Sequence, residues 1–584
     1  MKIKILFVLW LIGSSPRVFS IFYFHNIPSA KTIHDSLFFF EERRDQLIKY
    51  YAKKKLGETF DLKNHRGFSQ PAVARAYYGI DGSEVSRIIL EDNFKPFGKV
   101  GTNFKFIPRI CERRGDYDFA LIHLIQLAFI SKNKNYLSEK AYEKLILKML
   151  TAKGNKHHTS FRLGLCGKFK DTENHILMTE TSRYLTNDLL KDFYKKKQKP
   201  LADVYDNSAN GFDDWLIKHL QDLKINSFDE YNSKPYQSYA IIPIANLAAF
   251  AKNKKIKKIA RELLDHQSRI FNIQSYKGIR LPPFRRQLFY EQQNEILSGD
   301  GEISRHALLV GEIDFYPGGG KFRIVNYGAH VMFSLAVTGV KINEDTLKEI
   351  FQRDKDQYIF FKHQTPEIYH RSKSYTLSAG GVHVNRLDGG TKLNDGWAMP
   401  TTLLTKYNPN PTKESFFRFK GNRHRLKRRN TCVYKNFACG LNFSFPNNFD
   451  RNCGIKKGEY IFFDLSSSKC GKHADLFMAL KIFNCHTFKC RRVANNFGFF
   501  EVRESTNLNF NSFIETVLKN NKKRDISYNK KNQYITSKNE QISFIPNPKR
   551  KNQWEIISVN KQNVVRDFNY WPAGLFELSQ LFTK

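Results

Sequence analysis

"NEDTLKEIFQRDKDQYIFFKH", Asn343 to His363, changes periodicity part-way along. Leu347, Ile350 and Phe351 recur at the spacing of one helical face, whereas Tyr358 to Phe361 form a short apolar run of the kind that builds strands. On the N-terminal side, apolar residues repeatedly fall at helical spacing. Examples are "DYDFALIHLIQLAFISK" (Asp116 to Lys132), "LSEKAYEKLILKML" (Leu137 to Leu150), Glu173 to Leu190, Gly211 to Leu223, Tyr236 to Lys252, Lys254 to Phe271 and Tyr327 to Gly339. On the C-terminal side the chain is written in short runs such as "TCVYKNFACGLNFSF", "GEYIFFDL", "LFMALKIF" and "FGFFEVRE", separated by Gly, Asn, Pro and Lys. Regular short strands of that kind suggest a sandwich. The expected fold class is therefore α+β and multidomain, with a helical domain over residues 21–355 and an antiparallel β-sandwich domain over 356–584. No fixed-length repeat is present, so a regular solenoid is not indicated.

The chain has 584 residues, 41% of them apolar, which supports packed cores rather than disorder. Its first twenty residues combine Lys2 and Lys4 with an apolar run from Ile5 to Ile12 and a polar stretch ending at Ser20. This reads as a signal peptide over residues 1–20 and predicts export, because the run is roughly half the ~20 apolar residues that a membrane span needs. No later segment is long and apolar enough to span a bilayer. Eight cysteines, six of them in the last third, are an even set that suits disulfides in an exported chain, with pairing left open. Cys485, His486 and Cys490 lie close together but lack the four-ligand spacing of structural zinc, so no metal or other cofactor is expected.

Lysine and arginine outnumber the acids by 95 to 56, a net charge of +39 that favours polyanionic partners. The joint richness in Lys, Asn, Ile and Phe is also what biased codon usage produces, with much of the lysine simply solvated. The clusters "FKGNRHRLKRR" (Phe419 to Arg429) and "NPKRKN" (Asn547 to Asn552) read as loops. Export and the lack of a nucleic-acid-binding module argue against nucleic acid.

The chemistry-bearing stretch is "DTENHILMTETSRYLTNDLL", Asp171 to Leu190. Asp171 or Thr172 is placed to cap a helix, with Glu173 extending the capping arrangement. Asn174 and His175 then occupy the first turn, where unpaired amides and the positive end of the helix favour an anion. Cap-plus-packing and a functional pair are both open at this level. Downstream, "SKPYQSY" opens another helix with Ser233, Tyr236 and Tyr239.

An Asn-His pair at a helix start, followed about sixty residues later by Ser-x-x-Tyr-x-x-Tyr, resembles polysaccharide lyases built as an incomplete (α/α) toroid plus a β-sandwich. The closest resemblance is to the heparinase II/III and alginate lyase group. It implies β-elimination on an acidic, uronate-containing polysaccharide, with Asn174 and His175 at the family's Asn-His pair and Tyr236 at its catalytic tyrosine. Donors that neutralise the uronate carboxylate acidify the neighbouring C–H, and a tyrosine flanked by cations then exchanges the proton. Arg285 and Arg286 in "RLPPFRRQ" are the nominated cations, and Glu173, Tyr239 and Trp215 complete the expected substrate contacts. His370, in "EIYHRSKSY", is either a second base contributed by the β domain or an ordinary strand histidine. His473 in "GKHADLF" resembles the His-Ala-Asp of heparinase sandwich domains, with a structural role expected.

The chain departs from the pattern at three places. Asp229 and Glu230 stand where the alginate lyase pattern has an arginine, Pro235 precedes the tyrosine, and Gln237 follows it in place of histidine. Acids beside Tyr236 oppose its use as a base. Two alternatives accompany the lyase. One is an inverting glycoside hydrolase using carboxylates among Glu173, Asp213, Asp214 and Glu230. The other is a non-catalytic secreted binder of polyanions or glycans. Trp215, Trp397 and Trp571 suit sugar stacking or a core equally. "YPGGGKF" lacks the spacing of a phosphate loop.

Overall fold

The computed structural model describes residues between Phe24 and Leu575, leaving out chiefly 58–64, 92–103, 106–111, 229–235, 281–300, 314–325, 353–356, 362–366, 381–400, 406–415, 420–431, 485–495, 548–552 and 565–573, with some shorter stretches. The segment read as a signal peptide, Arg285, Arg286, Glu230, Trp397, Trp571 and most of both basic clusters fall outside the described residues.

A helix-rich region comes first. Its helices are α1 (Ile33–Phe38), α2 (Phe40–Ala52), α3 (His65–Tyr78), α4 (Gly82–Glu91), α5 (Asp118–Lys134), α6 (Glu139–Lys144), α7 (Glu173–Lys196), α8 (Phe212–Asn226), α9 (Tyr236–Phe250), α10 (Lys254–Gln274), α11 (Gly301–Leu309), α12 (Asn326–Thr338) and α13 (Glu344–Phe351). Three two-stranded antiparallel ladders lie among these helices, Phe104–Lys105 with Glu112–Arg113, Ser160–Arg162 with Lys168–Lys170 and Ser275–Tyr276 with Ile279–Arg280, and from Gln357 onward the described chain is mainly strand. The periodic stretch Leu137 to Leu150 is not one regular helix, because after α6 the backbone widens into a π-turn over Leu145–Met149.

Packing neighbours run α2, α3, α5, α7, α9, α12 and back to α2, a closed circuit, while α10 packs beside α9 and α8 packs beside α10. Helix α5 shows why the circuit closes. Leu121, Ile122, Leu124, Ile125 and Leu127 point in every direction around it, yet all are buried. Each contributes about 1.5–3 kcal/mol on leaving water, so α5 is stable only when surrounded. Its mid-point is cross-linked by polar groups, where Gln126 Nε2 donates to Asn246 Oδ1 on α9 (2.8 Å) and Asn246 Nδ2 donates to the Ile122 carbonyl (2.8 Å).

Helices α5, α7 and α9 run parallel. At one end Asp192 of α7 receives Lys132 of α5 and Lys252 just past α9, and Phe129 stacks on Phe250 with centroids 4.8 Å apart. Those lysines sit at carbonyl ends of helices, where the backbone dipole favours a cation. At the other end the three N-termini meet, and this is where the candidate site lies.

The strand region is antiparallel. A seven-stranded sheet runs in the order Phe443–Ser444, Phe417–Phe419, Thr401–Thr405, Tyr375–Gly380, Glu367–Arg371, Gln357–Phe361 and Gly574–Leu575. A six-stranded sheet follows the order Val433–Tyr434, Phe437–Leu441, Asn496–Glu504, Leu476–Asn484, Tyr460–Asp464 and Ile455–Lys457. The two share one apolar core, in which Phe419 of the first stacks on Phe500 of the second at 5.5 Å. A four-stranded sheet over Asn532–Asn563 extends that core, and a helix, Phe510–Asn521, packs against it. Disulfides join Cys432 to Cys439 and Cys453 to Cys470.

The two regions meet along the end of α10. Arg371 Nη1 approaches the Asn272 carbonyl at 3.4 Å, and Tyr369 and Phe416 belong to the helical core. Because Gln267, five residues before Asn272, bonds to Gln237 in the first turn of α9, the strand region adjoins the end of the circuit that carries the N-termini.

Candidate functional site

The site is assembled at the starts of α5, α7 and α9. Asp118 is the first residue of α5 and is completely buried. His175, in the first turn of α7 and 6% exposed, brings its Nδ1 to 2.5 Å from Asp118 Oδ2. Phe119 stands edge-on to the imidazole at 5.5 Å and edge-on to the Tyr239 ring at 4.6 Å. Asp118 and Phe119 at one helix start thus meet His175 at the next and Tyr239 at the third.

Thr172 occupies the N-cap of α7 but makes no side-chain capping bond. Its hydroxyl instead donates to Asn174 Oδ1 at 2.9 Å, which corrects the expected capping arrangement. That bond orients the amide. Asn174 is 2% exposed, and its Nδ2 has no hydrogen-bond partner among the described residues. Asp118 Oδ1 is likewise unpartnered. A buried polar group left so costs about 1–3 kcal/mol, which makes an unsatisfied donor beside an acid-held histidine a mark of a site rather than of packing.

Tyr236 is the first residue of α9. Its neighbour Gln237 accepts at Oε1 from Arg280 Nη1 (3.0 Å) and donates from Nε2 to Gln267 Oε1 (3.0 Å). Arg280 is completely buried. A fixed guanidinium therefore lies at the first turn of α9, supplied by the residue that opens "RLPPFRRQ"; Arg285 and Arg286, further along it, lie outside the described residues.

The other expected residues separate. Glu173 is the first residue of α7 and half-buried. Tyr239 is buried and packs edge-on against Phe119, which packs in turn on His175, so it helps to wall the cluster. Trp215 belongs to a different group on α8, its indole nearly parallel to the imidazoles of His157 (4.4 Å) and His219 (5.1 Å). His370 lies on the strand that meets the helical region, but alternation along that strand sends Arg371 towards α10 and His370 to the opposite face. There the ring packs 6.0 Å from Tyr375, and burial, reinforced by Lys435 and Lys538, depresses its pKa to about 3. It is a neutral core histidine. His473 packs on Phe417 and Phe449 in the strand core, with burial lowering its pKa.

For paired carboxylates, Asp213 accepts from the Tyr184 hydroxyl at 2.7 Å. Tyr184 lies eleven residues along α7 from Glu173, roughly 16 Å of helix, well beyond the ~6.5–9.5 Å of an inverting pair. Asp188, raised to about 6 by burial, accepts from Asn207 in that same remote part of α7. Among the described residues no group of three or more His, Cys, Asp or Glu is placed to hold a metal ion, and no helix is long and apolar enough to cross a membrane.

Asp118 and Arg280 are the members that periodicity and motif order do not single out. The signal for Asp118 was an acid opening a helix that is apolar all round, since such a helix must carry its first-turn acid into the interior. Compared with known proteins, the chain matches no family model and no curated protein sequence.

Proposed function

We propose that this protein is an exported polysaccharide lyase that cleaves a uronate-containing acidic polysaccharide by β-elimination, with the helix circuit as an incomplete (α/α) toroid and the paired sheets as a β-sandwich. The observation that carries this reading is the buried, unpartnered Nδ2 of Asn174 beside His175 at the start of α7. A substrate carboxylate is the group that such a donor, at the positive end of a 24-residue helix, is suited to receive.

In the proposed reaction Asn174 and His175 hold the uronate carboxylate, so that charge developing on it as C5 loses its proton is stabilised. The electron pair left at C5 forms the C4–C5 double bond while the C4–O bond breaks. Tyr236, at the start of α9, takes the C5 proton as its phenolate and gives it to the glycosidic oxygen that leaves C4. Arg280 adds positive charge at that helix turn. The disulfides Cys432–Cys439 and Cys453–Cys470 and the net charge of +39 agree with an exported protein acting on a polyanion.

Incubation of the purified protein with a panel of uronate polymers is expected to produce the ultraviolet absorbance of unsaturated uronate ends. Absence of that signal on every polymer, or full activity in Tyr236→Phe and His175→Ala, overturns the proposal.

A further inference from the structure

We infer that Asp118 is a positioning residue that fixes the working tautomer of His175, taking the Nδ1–H so that Nε2 is the nitrogen offered to a substrate. This rests on the reading of Asn174 and His175 as the site, but its structural content stands apart from any activity. Asp118 comes from α5 and His175 from α7, 57 residues later, and their side chains meet at 2.5 Å inside the protein. A carboxylate only accepts, so the ring nitrogen facing it carries the proton. The remaining nitrogen then takes or gives the proton that chemistry requires.

Two features show that the contact does more than fill space. A histidine in the first turn of a helix faces the positive end of the backbone dipole, which disfavours its charged form. A buried acid against Nδ1 compensates that effect when Nε2 is protonated. Asp118 is also poorly satisfied for a structural acid, because its second oxygen has no partner among the described residues. Phe119, the next residue, closes against the imidazole edge-on and limits its rotation. One dipeptide, Asp118-Phe119, thus sets both the tautomer and the orientation of the ring.

The test is nitrogen NMR of the full chain labelled with 15N-histidine, with His175 identified by the signal missing in His175→Gln. The expected result is an Nδ1 that stays protonated in acid and alkaline buffer alike, with Nε2 the nitrogen that titrates. In Asp118→Asn the side-chain amide can donate to Nδ1, so the tautomer should switch to Nε2–H. A wild-type ring that loses its proton from Nδ1, or an unchanged tautomer in a folded Asp118→Asn, overturns the inference. If the variant does not fold, the wild-type titration alone decides. A confirmed tautomer in a protein inert towards every uronate polymer would remove the lyase reading and leave the positioning role intact.

Discussion

Two buried carboxylates, Asp118 in the helical region and Glu501 between the sheets, are treated in opposite ways. Glu501 is saturated. It accepts from the Tyr534 hydroxyl (2.6 Å), the Ser537 amide (2.8 Å) and hydroxyl (2.6 Å), and Asn436 Nδ2 (3.2 Å). Burial raises its pKa, and those donors oppose the rise. Asp118 has His175 on one oxygen and, among the described residues, no partner on the other. The histidines divide along the same line: His370 is buried among cations and aromatics, whereas His175 is held by an acid at a helix start. A polar group whose bonds are complete makes a fold unique, and one whose bonds are incomplete keeps capacity for a ligand.

That contrast can be broken most directly at His175. Replacing it with alanine should lower the rate of uronate cleavage by about 10²–10⁴-fold, measured as the slope of ultraviolet absorbance. A slope within a few-fold of wild type would place the chemistry elsewhere. Next in size is Glu501→Gln, which swaps an acceptor for a donor among donors. It should cost about 2–3 kcal/mol in urea denaturation and leave kcat of the folded protein unchanged. A loss well below 1 kcal/mol would show that the saturated cluster is not structural.

The third prediction concerns pH. His370 is neutral in the folded protein down to about pH 3, while in the unfolded chain it gains a proton below its ordinary value of ~6.5. The unfolded state therefore binds more protons between those limits. Stability contributed by this group is complete above about pH 6.5 and falls by roughly 1.4 kcal/mol for each unit below it. Denaturation midpoints of His370→Gln should show a shallower acid dependence than wild type; parallel curves would mean that the ring is not buried neutral. The smallest effect is expected for the stability of Asn174→Ala. The lost Nδ2 has no partner among the described residues, so only the Thr172 bond is given up and unfolding should change by about 1 kcal/mol, while uronate cleavage falls on the order of 10²-fold. Equal loss of both would turn Asn174 into a packing residue.

Much of the helical region is legible in the chain itself. The stripe that opens at Ile176 predicts α7, and the apolar content of Tyr236 to Lys252 predicts α9, although α7 runs six residues past the expected Leu190. Helices α2 to α4 lie in a stretch whose helical spacing is weakly marked, and the helix Phe510–Asn521 is embedded in strand-like sequence. In both cases flanking polar residues hide a short apolar face. The Asn-His pair was visible as a motif. Its acid partner was not, because 57 positions separate Asp118 from His175 and no local pattern links them.

The sequence by itself determined that a helix-rich part precedes a strand-rich part, the switch of periodicity near residue 355 and the presence of Asn174 and His175 in a helical first turn. These depend on neighbours within a few residues, through side-chain spacing and backbone hydrogen bonding. Only the tertiary structure decided that three helix starts converge, that Thr172 bonds Asn174 rather than capping α7, that Asp118 meets His175, and that His370 faces away from the helical region. Those outcomes depend on parallel packing of α5, α7 and α9 and on which face of one strand is turned inward, and burial and pairing are properties of that packing rather than of any single stretch of chain.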